Sequence, residues 1–225
     1  MSKRYRLVVF DWEGTLGDTL GQILNNVAVE ARRLNFGELD EQLARQSVEL
    51  GLVKAMKIVF PHLTLQQHQQ LLQAVQQSLV SRHADVYLIP GAKSIVERLT
   101  AAGLDVAIAT NKGQQSLQRA LQLSGLDALI KVTRSAGQVP PKPCPQMLEE
   151  ILDEFALTPK DAIMVGDSVT DIEMAKSIGM DAVGVDFYHQ QREVLEGAGA
   201  LCVFDDFQLF ADFIHLPEFP RKSEL

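Results

Sequence analysis

The chain has 225 residues, 46% of them hydrophobic and 22% charged, with a net charge of −8 at pH 7. At about 150 residues per domain this is one domain with a sizeable insertion, or two small ones, and it can bury about 70% of its unfolded surface. That excludes a disordered or fibrous chain, and the acidic balance disfavours nucleic acid as a partner while leaving room for a local positive pocket around one small phosphate.

Leu7-Val8-Val9-Phe10 is short, apolar and rich in β-branched residues, which predicts a buried strand. The apolar run is only four residues long before Asp11, too short for a signal peptide. No run approaches the ~20 residues of a membrane span, so no membrane partner is expected. Residues 18–84 hold no convincing strand. Stretches 22–35 and 39–58 read as helical. Leu65, His68, Leu72, Val75 and Leu79 recur at spacings of 3 and 4, one face of a helix. The seven glutamines between Gln66 and Gln77 are its solvated face. An all-helical unit is therefore inserted after the first strand.

From residue 85 strand and helix patterns alternate. Leu104–Ala109, Ala162–Val165, Ala182–Val185 and Leu201–Phe204 read as strands, and Ala128–Val132 as a weaker one. Helical patterns run over 92–102, 113–124, 145–156, 170–178 and 189–197. Gly103, Gly125 and Gly179 stand where helix C-caps belong. Pro145 reads as the first residue of its helix. Phe207, Phe210, Phe213 and Ile214 form a helical stripe behind an Asp205-Asp206 N-cap, and 217–225 reads as a mobile tail. The alternation predicts an α/β fold: a parallel Rossmann-like sheet covered by helices on both faces, with an inserted all-helical cap. The expected domains are a core of 1–17 and 85–225 and a cap of 18–84. Hinges are expected near Gly17–Thr19 and Asp85–Gly91.

Parallel α/β sheets place their sites at the carboxyl ends of the strands. Asp11 follows the first strand, Thr110-Asn111-Lys112 the second, and Gly166-Asp167-Ser168-Val169-Thr170-Asp171 the strand ending at Val165. Lys142 lies in Pro140-Pro141-Lys142-Pro143, just before that strand. Three carboxylates, a hydroxyl and a lysine therefore converge on one edge. Asp11 and Asp167 can share a hard divalent cation, which takes oxygen ligands. An aspartate can attack phosphorus, and a carboxylate two residues on can protonate the leaving oxygen and then activate water. Lys142 offers a point charge for a phosphate, and Thr110 a hydrogen bond. Taken singly these residues are ordinary: Asp171 could merely cap its helix, Lys142 be solvated and Thr110 form a turn. The ordered set across four loops is much more specific.

That set resembles the haloacid dehalogenase-like (HAD) hydrolase superfamily over almost the whole chain. Asp11-Trp12-Glu13-Gly14-Thr15 stands for Asp-x-Asp-Gly-Thr. Thr110, Lys142 and Gly166-Asp167-x-x-x-Asp171 stand for the later motifs. The helical insert after the first motif looks like the subfamily that includes phosphoglycolate phosphatases. The resemblance implies a phosphatase acting on a small phosphorylated metabolite. Its catalytic residues would be Asp11 as nucleophile, Glu13, Thr110 and Lys142. Thr110, Asn111 and Lys142 would bind substrate. Mg²⁺ would be held by Asp11, Glu13 (through its backbone carbonyl), Asp167 and Asp171. Cys144 and Cys202 make no disulfide framework and suit a reducing cytoplasm, where a monomer or homodimer is expected.

Residue 13 departs from the pattern. Glutamate keeps the carboxyl group but adds a methylene, roughly 1.5 Å, and misplacement by about 1 Å can cost ~10²-fold in rate. Two other readings follow. The first motif is also similar to that of phosphonoacetaldehyde hydrolases, which have a small residue at position 13 and a Schiff-base lysine in the cap. Lys54 has a similar local setting, but Glu13 is not small. The third reading is a HAD-fold binding or regulatory protein, for which only Glu13 speaks. Arg45, Lys54 and Lys57 are cap candidates for choosing the leaving group. His62, His68, His83, His189 and His215 show no metal-ligand spacing.

Overall fold

The computed structural model describes residues 5–47, 51–81 and 86–216. They divide into two compact units, one of Met1–Gly17 with Leu88–Leu225, the other of Asp18–Tyr87. The expected tail, His83, and Asp85 at the start of the second expected hinge lie outside the described residues.

The first unit is built on a six-stranded sheet in the order β3-β2-β1-β4-β5-β6, every pairing parallel. The strands are β1 Leu7–Phe10, β2 Asp105–Thr110, β3 Val132–Ser135, β4 Ala162–Gly166, β5 Asp181–Val185 and β6 Val203–Phe204. β1 is central, between β2 and β4, and all four of its residues are fully buried. This is why it reads as an unbroken apolar run. Side chains alternate between the two faces of a strand. Leu7 and Val9 share one core with Met147, Leu148 and Ile151 of α7 (Gln146–Phe155) and Ile172 and Met174 of α8 (Val169–Ser177). Phe10 instead meets Phe207 and Phe210 of α10 (Phe207–Phe213) edge to face, with ring centroids 6.4 and 6.2 Å apart. The Asp206 carboxylate caps α10 by accepting the Gln208 N–H.

Two expectations need correction. The weak strand expected at Ala128–Val132 begins where it was to end. Leu126, Leu129 and Ile130 form a turn instead, with the Ile130 N–H bonded back to the Leu126 carbonyl at 2.9 Å. β3 is an edge strand, so half-buried Thr133 and Arg134 suffice there, and apolar content alone misplaces it. Pro145 is the N-cap of α7 rather than its first helical residue, a shift of one position at a helix end. α5 (Ala92–Ala101), α6 (Gln114–Ser124) and α9 (Arg192–Ala198) complete the unit.

The second unit is all helical: α1 Thr19–Arg33, α2 Glu41–Ser47, α3 Leu52–Val59 and α4 Leu65–Ser81. The single stretch expected over 39–58 is thus two helices, because Gly51 takes φ +84°, a left-handed conformation that starts α3 afresh. Val27 and Ala31 of α1, Met56 and Phe60 from the α3 end, and Leu71 and Val75 of α4 form the unit's own core. Inside it, Ser78 donates to Asn26 Oδ1 at 3.0 Å and Asn26 donates to the Gln22 carbonyl at 2.8 Å.

Candidate active site

The carboxyl ends of β1, β2 and β4 carry the site. The Asp11 N–H bonds to the Val165 carbonyl at 2.9 Å, so the sheet ladder continues to the first site residue. The chain then folds tightly. The N–H groups of Leu16 and Gly17 both donate to the Trp12 carbonyl, at 3.0 and 2.7 Å, and Trp12 itself is buried. Gly14 has φ +75°, and a Cβ there would lie 2.0 Å from Asp167 Oδ2. Only glycine lets the β1 loop pass so close to the β4 loop.

The acidic residues converge. Carboxylate oxygens of Asp11, Asp167 and Asp171 all lie within 4.8 Å of one another. Lys142 Nζ sits between two of them, 2.5 Å from both Asp11 Oδ1 and Asp171 Oδ1, and its side chain is 3% exposed. It is buried at the convergence, not solvated as a lysine taken singly could be. Asp171 also completes a capping box at the start of α8. Its Oδ2 accepts from Ser168 Oγ at 2.6 Å and from the Ser168 N–H at 3.1 Å. Asp171 therefore caps its helix and faces the cluster at once. Thr15, fully buried, donates to Asp167 Oδ1 at 3.3 Å.

The electrostatics follow from burial. Desolvation, aided by the neighbouring charges of Asp11 and Asp171, pushes the Asp167 carboxyl up to about 8. Burial also raises Asp11, against the opposing pull of Lys142. For Lys142 burial alone would lower the pKa, but the Asp11 and Asp171 carboxylates outweigh it and raise it. Three carboxylates facing one ammonium leave an excess of negative charge, which a divalent cation with oxygen ligands relieves. The donor set fits such an ion.

The second strand's loop supplies the rest. Thr110 is buried at the end of β2, and its Oγ1 accepts the Lys112 N–H at 3.2 Å. Asn111 Oδ1 accepts the Lys142 N–H at 2.9 Å, fastening the lysine's loop to the end of β2. Glu13 stands apart from the carboxylate cluster. Its Oε1 pairs with Lys112 Nζ at 2.7 Å. Lys54 lies exposed on α3, in the other unit.

Sequence reasoning raised helix capping by Asp171 without its partner Ser168, and it missed two other contacts. The Ser168-x-x-Asp171 spacing was a readable signal for the capping box. The Asn111 grip on Lys142 and the Lys112 pairing with Glu13 span 31 and 99 residues and leave no local pattern.

Comparison with known proteins shows the family and the fold. The haloacid dehalogenase-like hydrolase family profile matches residues 8–185. A phosphoglycolate phosphatase of Rhodospirillum rubrum is 28% identical over 223 residues, covering 95% of this chain and 92% of the relative. A phosphoglycolate phosphatase of Synechococcus elongatus is 27% identical over 192 residues, 85% of this chain and 88% of the relative. In fold, the chain is similar to a HAD family hydrolase from Deinococcus radiodurans solved with bound phosphate and sodium. That likeness has a TM-score of 0.72 at 20% identity and covers 96% of this chain and 100% of the other.

Proposed function

Because the chain belongs to the haloacid dehalogenase-like hydrolases and is a phosphatase of that type, we propose that it hydrolyses a small phosphate monoester through an aspartyl-phosphate on Asp11. The observation that carries this reading is the buried convergence of Asp11, Asp167, Asp171 and Lys142 at the carboxyl edge of a parallel sheet. Phosphoglycolate heads the substrates to test, since relatives aligned over nearly their full length carry that name.

An Asp11 carboxylate oxygen attacks phosphorus, and the bond from phosphorus to the leaving oxygen breaks. Glu13 gives that oxygen a proton and then takes one from the water that hydrolyses the phospho-aspartate, restoring Asp11. Lys142, held at 2.5 Å from Asp11, orients the nucleophile and places positive charge beside the incoming phosphoryl group. Thr110 accepts from the Lys112 amide and keeps its own hydroxyl proton to donate to a phosphoryl oxygen. Asn111 holds the Lys142 loop in place on the substrate side. Asp11, Asp167, Asp171 and the backbone carbonyl of Glu13 would hold Mg²⁺, which would supply charge neutralisation for the phosphate.

The test is Mg²⁺-dependent phosphate release from a panel of small monoesters, phosphoglycolate among them, with phosphonoacetaldehyde as the competing C–P substrate. Wild type and Asp11→Asn run side by side. Release that needs Mg²⁺ and disappears in Asp11→Asn is the expected result. Release that survives Asp11→Asn overturns the nucleophile assignment. Cleavage of phosphonoacetaldehyde that disappears in Lys54→Ala would move the reaction to the Schiff-base class.

A further inference from the structure

Glu13 and Lys112 lie on different loops of the same unit, one after β1 and one after β2. Both backbones are fixed near their ends. Glu13 pairs with Gly17 in an isolated bridge, and the Gly14 N–H donates to the Gly17 carbonyl at 2.9 Å. The Lys112 N–H is tied to Thr110 Oγ1 at 3.2 Å. From these anchors the two side chains meet at 2.7 Å. The pair is partly open to solvent, with side-chain exposures of 23% for Lys112 and 46% for Glu13. An ion pair so exposed adds little to stability. What it does decide is where a long, freely rotating carboxylate spends its time.

We infer that Lys112 is a positioning residue that selects the working rotamer of Glu13. The inference rests on the reading of Glu13 as the proton donor and acceptor at Asp11. Glutamate has one more rotatable bond than aspartate, and that extra freedom must be restrained for a proton to pass at a fixed place. Lys112 supplies the restraint from the loop whose backbone is also tied to Thr110. A shorter carboxylate at position 13 falls short of Lys112 Nζ by roughly one bond, about 1.5 Å, and loses the restraint together with the need for it.

The test is a four-protein cycle of wild type, Lys112→Met, Glu13→Asp and the double variant, with Lys112→Arg as the conservative control. Mg²⁺-dependent release from para-nitrophenyl phosphate gives kcat and KM for each, and thermal denaturation checks folding. The expected result is a fall in kcat of about tenfold for Lys112→Met with KM and melting midpoint held. The same substitution in the Glu13→Asp background changes kcat less than twofold, and Lys112→Arg recovers most of the wild-type value. A loss of equal size in both backgrounds overturns the inference. So does a rise in KM at constant kcat, which would put Lys112 on the substrate. Silence of wild type on every substrate overturns the phosphatase reading and this one with it, whereas an active wild type with additive variants overturns this one alone.

Discussion

At the scale of single residues, the site is governed by one buried ammonium among three carboxylates. Removing one partner of a buried ion pair leaves an uncompensated charge, which costs ~3–5 kcal/mol. Lys142→Met is therefore expected to lower the thermal midpoint markedly as well as abolish phosphate release. The destabilisation should shrink as pH falls, because the raised Asp11 carboxyl takes up a proton and no longer needs its counter-charge. Melting curves at several pH values check this, and a pH-independent loss would argue for packing instead. Asp167 makes the second prediction. Burial and the neighbouring carboxylates push its carboxyl up to about 8, against about 3.9 in an unfolded chain. Between those values the folded state holds the extra proton, so this group's contribution to stability is present at low pH and lost as pH rises toward 8. A cation must displace that proton. At pH 7 Mg²⁺ binding is expected to release about one proton, and affinity to climb with pH until about 8. Calorimetry in two buffers of different ionisation enthalpy reads the proton directly.

At the scale of elements, the helices and loops differ in what holds them. α10 rests on aromatic contacts: Phe210 is fully buried and packs on Phe10 and Phe204, with centroids 6.2 and 6.1 Å apart. Phe210→Ala is expected to cost ~3–5 kcal/mol of stability through lost contacts and a cavity. Asp206→Ala, which removes only the cap, is expected to cost ~1 kcal/mol. Denaturant titration followed by circular dichroism should show the difference, and equal effects would mean that α10 does not pack as described. The β1 loop depends on a glycine in the left-handed region at position 14, where any Cβ would strike the Asp167 carboxylate. Gly14→Ala is accordingly expected to weaken Mg²⁺ binding as well as stability, readable in the same calorimeter.

At the scale of the whole molecule, the chain leaves and re-enters its sheet unit at one place. Gly17 and Leu88 form an antiparallel bridge, and the Ile89 N–H donates to the Leu16 carbonyl at 3.0 Å. The helical unit has its own core, closed by Phe60, Leu71 and Val75. Replacing 18–87 with a short Gly/Ser linker is expected to leave a sheet unit that melts cooperatively and still binds Mg²⁺. A shortened chain that fails to fold would show that the sheet unit needs its insert. Much of this was legible in the amino-acid order. β1 is buried on both faces, so its residues had to be apolar throughout, and the glycines at 103, 125 and 179 mark helix ends because each takes a positive φ. Asp11, Thr110, Lys142, Asp167 and Asp171 could be singled out because parallel strands deliver their loops to one edge whatever the details of packing. β3 was misplaced because an edge strand is not required to be apolar. The tertiary structure alone decided which charges meet: that Lys142 bridges Asp11 and Asp171, that Asn111 grips the lysine's amide, and that Glu13 turns to Lys112. These contacts join loops far apart in the chain. Their partners are chosen by distance and burial, and neither has a period that a linear sequence can display.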